Sequence, residues 1–141
     1  MDIQFPPFLQ KGDKVVIVSP SSKIDQQFLK GAKKRMESWG LKVAIGKHAG
    51  SSSGRYAGTI KQRLKDLQDA MDDPKVKAIL CSRGGYGAVH LIDKIDFTAF
   101  REHPKWLLGF SDITALHNLF QKNGYASLHS LMARNLTVEP E

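Results

Sequence analysis

Apolar residues recur along this chain in two alternating rhythms. The runs Lys14–Val18, Leu41–Ile45 and Val76–Cys81 are short, rich in β-branched residues and nearly unbroken by polar positions. Strands with one wet face alternate instead, so these runs predict a sheet covered on both sides. Between them apolar positions fall at helical spacing: Phe28, Ala32, Met36 and Trp39 up to Gly40, then Ile60, Leu64, Leu67 and Met71. Ser22 and Asp25 fit a capping box before the first helix; Thr59 can cap the second, and Asp72-Asp73-Pro74 ends it. This short alternation predicts an α/β domain: one parallel sheet with helices on both faces, spanning residues 1–141.

The second half continues the pattern. Ser82-Arg83-Gly84-Gly85-Tyr86-Gly87 follows the third strand directly, and Val89, Ile92 and Ile95 suggest a helix after it. Trp106, Leu107 and Leu108 read as a fourth strand; Ala115, Leu116, Leu119 and Phe120 lie on a helix ending near Asn123-Gly124. Ala126–Ser130 reads as a last strand, and beyond Met132 the pattern turns polar. Met1–Gly12, with Pro6 and Pro7, reads as an extended lead-in. The Gly- and Ser-rich segment His48–Gly58 is long for a loop in a compact α/β unit, a length associated with function or mobility.

The stretch Leu107–Thr114 carries the sharpest chemical signal. Strand, glycine, polar trio and helix make a turn that presents a serine hydroxyl at a sheet edge, facing the first N–H groups of a helix. Ser111 is thereby a candidate nucleophile. The usual pattern is G-x-S-x-G, and Ile113 replaces its last glycine; the same spacing suits Ser111 or Asp112 as a simple N-cap. Loops after consecutive parallel strands share the carboxyl edge, so the glycine run 84–87 is an expected neighbour of Ser111. Asp112 N–H and a glycine-loop N–H then form an oxyanion-hole pair. The glycines do not match G-x-G-x-x-G, which disfavours a dinucleotide site, and a plain strand-to-helix turn also accounts for them.

Composition narrows the classes. The chain has 141 residues, 41% apolar and 25% charged, ordinary for a globular domain. One cysteine, Cys81, excludes a disulfide framework and cysteine-rich metal sites and fits a reducing compartment. No signal-peptide pattern or membrane-length apolar run is present, so a cytoplasmic location and no membrane partner are expected. The net charge of +7 is concentrated at Lys30, Lys33, Lys34 and Arg35 and at Lys61, Arg63 and Lys65, read as solvated helix faces. No aromatics interleave with them, so no nucleic-acid partner is expected; a basic surface equally suits a substrate bearing several carboxylates.

Ser19-Pro20-Ser21, Tyr56-Ala57-Gly58-Thr59, Arg83-Gly84-Gly85-Tyr86-Gly87, Gly109-Phe110-Ser111-Asp112-Ile113-Thr114 and Leu128-His129 occur in this order. Together they resemble the N-terminal domain of the LD-carboxypeptidase family of serine peptidases, the muramoyltetrapeptide carboxypeptidases. That resemblance implies a flavodoxin-like sheet, cleavage of a terminal D-alanine from murein tetrapeptides in cell-wall recycling, a homodimer, and no metal or other cofactor. It implies Ser111 as nucleophile and the N–H groups of Asp112 and Gly85 as oxyanion donors. Arg83, Gly84, Tyr86 and His129 fall on the substrate side, Arg83 as a candidate partner for the released residue's carboxylate. It also places the glutamate and histidine of the triad in a C-terminal domain that this sequence lacks, so the chain alone is expected to be inactive. A related peptidase conferring immunity to a peptide–nucleotide antibiotic, and a non-catalytic small-molecule-binding domain, are the alternatives.

Overall fold

The computed structural model describes residues 2–138, with only the backbone at Val138. Five parallel strands form one sheet: β1 (Lys14–Val18), β2 (Lys42–Ile45), β3 (Val76–Cys81), β4 (Trp106–Gly109) and β5 (Leu128–His129). Their order is β2-β1-β3-β4-β5, the flavodoxin-like order. The expected architecture is therefore present.

Both sheet faces are dry because the strands alternate between two apolar layers. Val18, Ile79, Cys81 and Leu107 pack on one face with Leu67 and Met71 of α2 (Ile60–Asp72) and Leu116 and Phe120 of α3 (Thr114–Lys122). Val15, Ile17, Ala78 and Leu80 pack on the other with Leu29, Ala32 and Met36 of α1 (Gln26–Ser38). Neighbouring side chains on one strand serve opposite layers, which is why the sequence shows continuous apolar runs.

Several local expectations change. Ser22 and Asp25 form no capping box: Asp25 is the N-cap of α1 without a side-chain cap bond, and Ser22 bonds to the glycine loop instead. Trp39 leaves the predicted stripe because α1 stops at Ser38, and it is 54% exposed; at the other end Leu29, not Phe28, is the buried residue. The helix expected through Val89–Ile95 is one 3-10 turn, Ala88–His90. The rest of the segment makes isolated turns, with Lys94 N–H on Leu91 O, and the chain just after it is held elsewhere: Gln68 receives Asp96 N–H and donates to Asp96 C=O, and Asp96 Oδ1 accepts from Thr98. The polar stretch beyond Met132 forms a helix, α4 (Ala133–Val138), with Asn135 Oδ1 accepting Met132 N–H. α4 lies close against α1, where a β-carbon on Gly31 would come within 2.7 Å of Thr137 Oγ1.

The capping box at α2 is present as expected, Thr59 and Gln62 each accepting the other's N–H. The other end of α2 is closed by Lys105, fully buried, whose Nζ donates to the carbonyls of Ala70, Met71 and Asp73 at 3.2, 2.9 and 2.6 Å. Burial pushes its pKa down to about 8, against the opposing pull of Asp73 and Asp72. An ammonium at a helix C-terminus faces the negative end of the dipole and supplies donors to carbonyls the helix cannot satisfy. Lys105→Met removes all three donors and is expected to lower stability by about 2–3 kcal/mol in urea unfolding. A change within experimental error would show that these carbonyls find other donors.

Candidate functional site at the carboxyl edge

The loops after β1, β3 and β4 converge where the chain order reverses across the sheet, the place at which ligands bind open α/β sheets. Ser111 stands there, exposed, at φ +60, and is the sole non-glycine residue of the described chain with positive φ. An L-residue in this region costs about 1–2 kcal/mol. Phe110 before it is extended (φ −146, ψ −172), and a 3-10 turn, Ser111–Ile113, leads into α3. The chain thus turns from strand to helix within one strained residue. Neither N-cap alternative occurs: Phe110 and Ile113, the residues preceding the 3-10 turn and α3, make no side-chain cap bond.

Gly109 and Ile113 explain how the elbow closes without a second glycine. A β-carbon at Gly109 would approach the Ile113 side chain to 2.9 Å, so the first glycine is sterically required. Ile113 is fully buried in the layer with Leu107 and Phe120, so its side chain anchors the turn.

The glycine loop touches the elbow as expected. A β-carbon at Gly84 would lie 3.1 Å from Ser111 Cβ, 3.2 Å from its Oγ and 3.4 Å from Asp112 N. Gly85 has φ +98, and a β-carbon there would collide with Ser22 Oγ. Ser22 fastens the loop from the β1 side: its N–H donates to Gly84 O at 3.1 Å and its Oγ accepts Tyr86 N–H at 3.2 Å. The Gly85 N–H donates to no group of the described chain. Asp112 N–H belongs to the first helical turn, whose donors lack intrahelical carbonyls.

The Asp112 carboxylate does not serve its own helix start, as one reading of the sequence had it. Oδ2 accepts from the Ser21 hydroxyl at 2.6 Å and from Ala88 N–H at 2.9 Å. It therefore joins all three loops. Arg63, expected on a solvated face, is 2% exposed and does the converse. Its guanidinium donates to Pro20 O and Gly87 O, both at 2.9 Å, its Nε to Gly58 O at 3.3 Å, and Nη2 meets His90 Nδ1 at 3.4 Å. Burial lowers its pKa, while Tyr56 and Asp112 act the other way. The missed signal is its spacing: Arg63 lies four residues before Leu67, on the buried stripe of α2.

The remaining expected residues divide. Tyr86 is 43% exposed at the loop. Arg83 Nη1 donates to Lys23 O at 3.2 Å. His129 is exposed at the end of β5 beside Gly109, its ring 6.1 Å from that of Phe110. It lines a cleft of about 310 Å³ with Thr114, His117, Gln121 and Ser127; Ser111 is not among the lining residues. No described histidine bonds Ser111: His117 bonds Gly109 O and Ser127, and His48 pairs with Asp66. Cys81 is wholly buried, and burial pushes its thiol pKa up, so it is no competing nucleophile. The long loop His48–Gly58, associated by its length with function or mobility, is tied down, with Ser53 and Tyr56 exchanging backbone bonds and Ala57 N–H on Ser21 O.

Among the described residues no three His, Cys, Asp or Glu side chains gather as metal ligands, and no helix is long and apolar enough to cross a membrane. Arg63→Met is expected to cost about 2–4 kcal/mol, because three carbonyls lose their donors. It should also speed amide exchange at Tyr86 and Ala88. Unchanged exchange there would mean that Arg63 does not hold the loop.

The pattern described as LD-carboxypeptidase N-terminal domain matches residues 15–130. The chain is 40% identical over 128 residues to a probable murein peptide carboxypeptidase of Bacillus subtilis, covering 90% of this chain and 40% of that protein. It is 34% identical over 128 residues to the murein tetrapeptide carboxypeptidase of Pseudomonas aeruginosa, covering 90% and 42%. A crystal structure of an MccF-like protein from Bacillus anthracis superposes with a TM-score of 0.89 at 34% identity, covering 96% of this chain and 43% of that one. The chain thus spans about two-fifths of the length of these relatives.

Proposed function

This chain belongs to the LD-carboxypeptidase family, and we propose that it carries the nucleophile and oxyanion donors of a serine peptidase releasing terminal D-alanine from murein tetrapeptide. The observation that carries this reading is Ser111 held at φ +60, exposed, against the Gly84 backbone. Strain of this kind persists where surrounding structure over-determines it, and the elbow gains from it an outward hydroxyl.

In the proposed reaction Ser111 Oγ attacks the carbonyl preceding the D-residue. Its proton passes to a histidine of the C-terminal domain that the family resemblance implies. The N–H groups of Asp112 and Gly85 receive the charge that builds on the carbonyl oxygen; one such donor is worth about 3–4 kcal/mol of barrier. The C–N bond breaks as the same base returns the proton to the departing amine, and water then hydrolyses the acyl-enzyme. Without its base a serine hydroxyl is a poor nucleophile, so this chain alone is inactive in this reading. The setting is the cytoplasm, and the complete protein is a homodimer. A 30% identity over 91 residues to the microcin C7 self-immunity protein of Escherichia coli supports the second reading, an immunity peptidase that would differ in the peptide cleaved.

The test uses the complete protein carrying this domain. Ser111→Ala should abolish D-alanine release from murein tetrapeptide and leave stability within about 0.5 kcal/mol, since alanine keeps the strained φ. Ser111→Gly should also be inactive, yet at least as stable as the parent in urea, because glycine relieves the left-handed penalty. Equal release by the parent and Ser111→Ala would remove Ser111 as nucleophile.

A further inference from the structure

The Lys23 backbone joins Arg55 and Arg83 beside the glycine loop, and none of these three basic residues forms an ion pair among the described residues. The Lys23 N–H donates to Arg55 O at 3.0 Å, and Lys23 O accepts Arg83 Nη1 at 3.2 Å. Ion pairs such as Lys14–Asp73, His48–Asp66, Lys65–Asp69 and Lys94–Asp93 lie elsewhere, and none among the described residues involves this corner.

The Arg55 side chain is exposed. Its guanidinium carbon lies 5.8 Å from the Tyr56 ring centroid and 5.6 Å from that of Tyr86, and its side chain makes no hydrogen bond within the described chain. The aromatic pair is itself braced: both rings pack edge-on against His90, each at 5.5 Å. The backbone under Arg55 is pinned by the Lys23 N–H and by the paired bonds between Ser53 and Tyr56. A guanidinium resting on rings loses little of its polar edge, so its donors stay available for a planar anion. Arg63, 4.9 Å from the Tyr56 centroid, adds a second positive charge to the same ring.

We propose that Arg55, seated on Tyr56 and Tyr86, is an anion-binding group that selects peptide substrates bearing a further carboxylate besides the one on the released residue. The inference rests on the peptidase reading above. The scissile end belongs at the contact between Ser111 and Gly84. Tyr86 is two residues further along the loop, so Arg55 meets a part of the peptide displaced from the bond being cut. The net charge of +7 favours the same class of substrate at longer range.

The experiment compares the complete protein and its Arg55→Gln variant on two peptides: murein tetrapeptide ending in D-alanine, and the same peptide with its internal carboxylates amidated. The parent should show the lower KM for the acidic peptide, and that KM should rise with ionic strength. Arg55→Gln should raise the acidic peptide's KM about three- to tenfold at unchanged kcat, weaken its salt dependence and match the parent on the amidated peptide. Equal KM values for the two peptides in the parent, or an equal effect of the substitution on both, would overturn the role of Arg55 alone. Release from neither peptide by the parent would overturn the peptidase reading, and this inference with it.

Discussion

One carboxylate oxygen holds the edge of this sheet together. Asp112 Oδ2 receives a hydroxyl from the β1 loop and a backbone N–H from the start of the turn after the glycine loop, and it sits one residue beyond Ser111. Three loops that are distant in sequence are thereby referred to one point. Arg63 repeats the arrangement with opposite polarity, gathering carbonyls of the β1 loop, the α2 entry and the glycine loop. Acceptor and donor clamps of opposite charge also attract each other, as the influence of Asp112 on Arg63 shows. Glycine-rich backbone is conformationally permissive, and these two side chains are what removes that freedom.

Rigidity here has a chemical consequence. A backbone N–H stabilises an oxyanion only if it points there beforehand, because reorienting it during reaction would consume the advantage. Gly84 and Gly85 let the backbone approach where a β-carbon would strike Ser111 or Ser22. The same absence of side chains leaves the stretch between Arg83 and Tyr86 with nothing of its own to pack. Its position is therefore set from outside, by Ser22, Asp112 and Arg63, and the glycines and the clamps are complementary parts of one device.

Which parts of this were legible in the sequence follows from how local each signal is. The strands were readable because a sheet buried on both faces demands unbroken apolar runs, and the elbow because strand, glycine, serine and helix are contiguous. Arg63 was misread because a cation in a lysine-rich helix resembles a solvated face; only its phase relative to Leu67 and Met71 marks it as inward. The Asp112 carboxylate was assigned to its own helix because capping is a local rule, whereas its partners lie 91 and 24 residues away. The segment after Gly87 looked helical from Val89, Ile92 and Ile95. It forms separate turns instead, held at its start by Asp112 and just past its end, at Asp96, by Gln68, partners that no window along the segment contains.

Ser111 shows why such a site divides its labour. Holding a serine in the left-handed region works against stability, and the described chain spends that strain at this one non-glycine residue. The structure opposes it with Ile113 buried behind the turn and Gly109 fitted beneath it. In the proposed chemistry the base has a different requirement, since an imidazole must move a proton between serine and leaving group while its ring stays oriented by a third residue. No described histidine hydrogen-bonds Ser111, and two are held elsewhere: His117 on Gly109 O and Ser127, and His90 beside Arg63. In the proposed reaction a base supplied from outside this chain leaves the strained elbow and its amide donors intact as a preformed half-site.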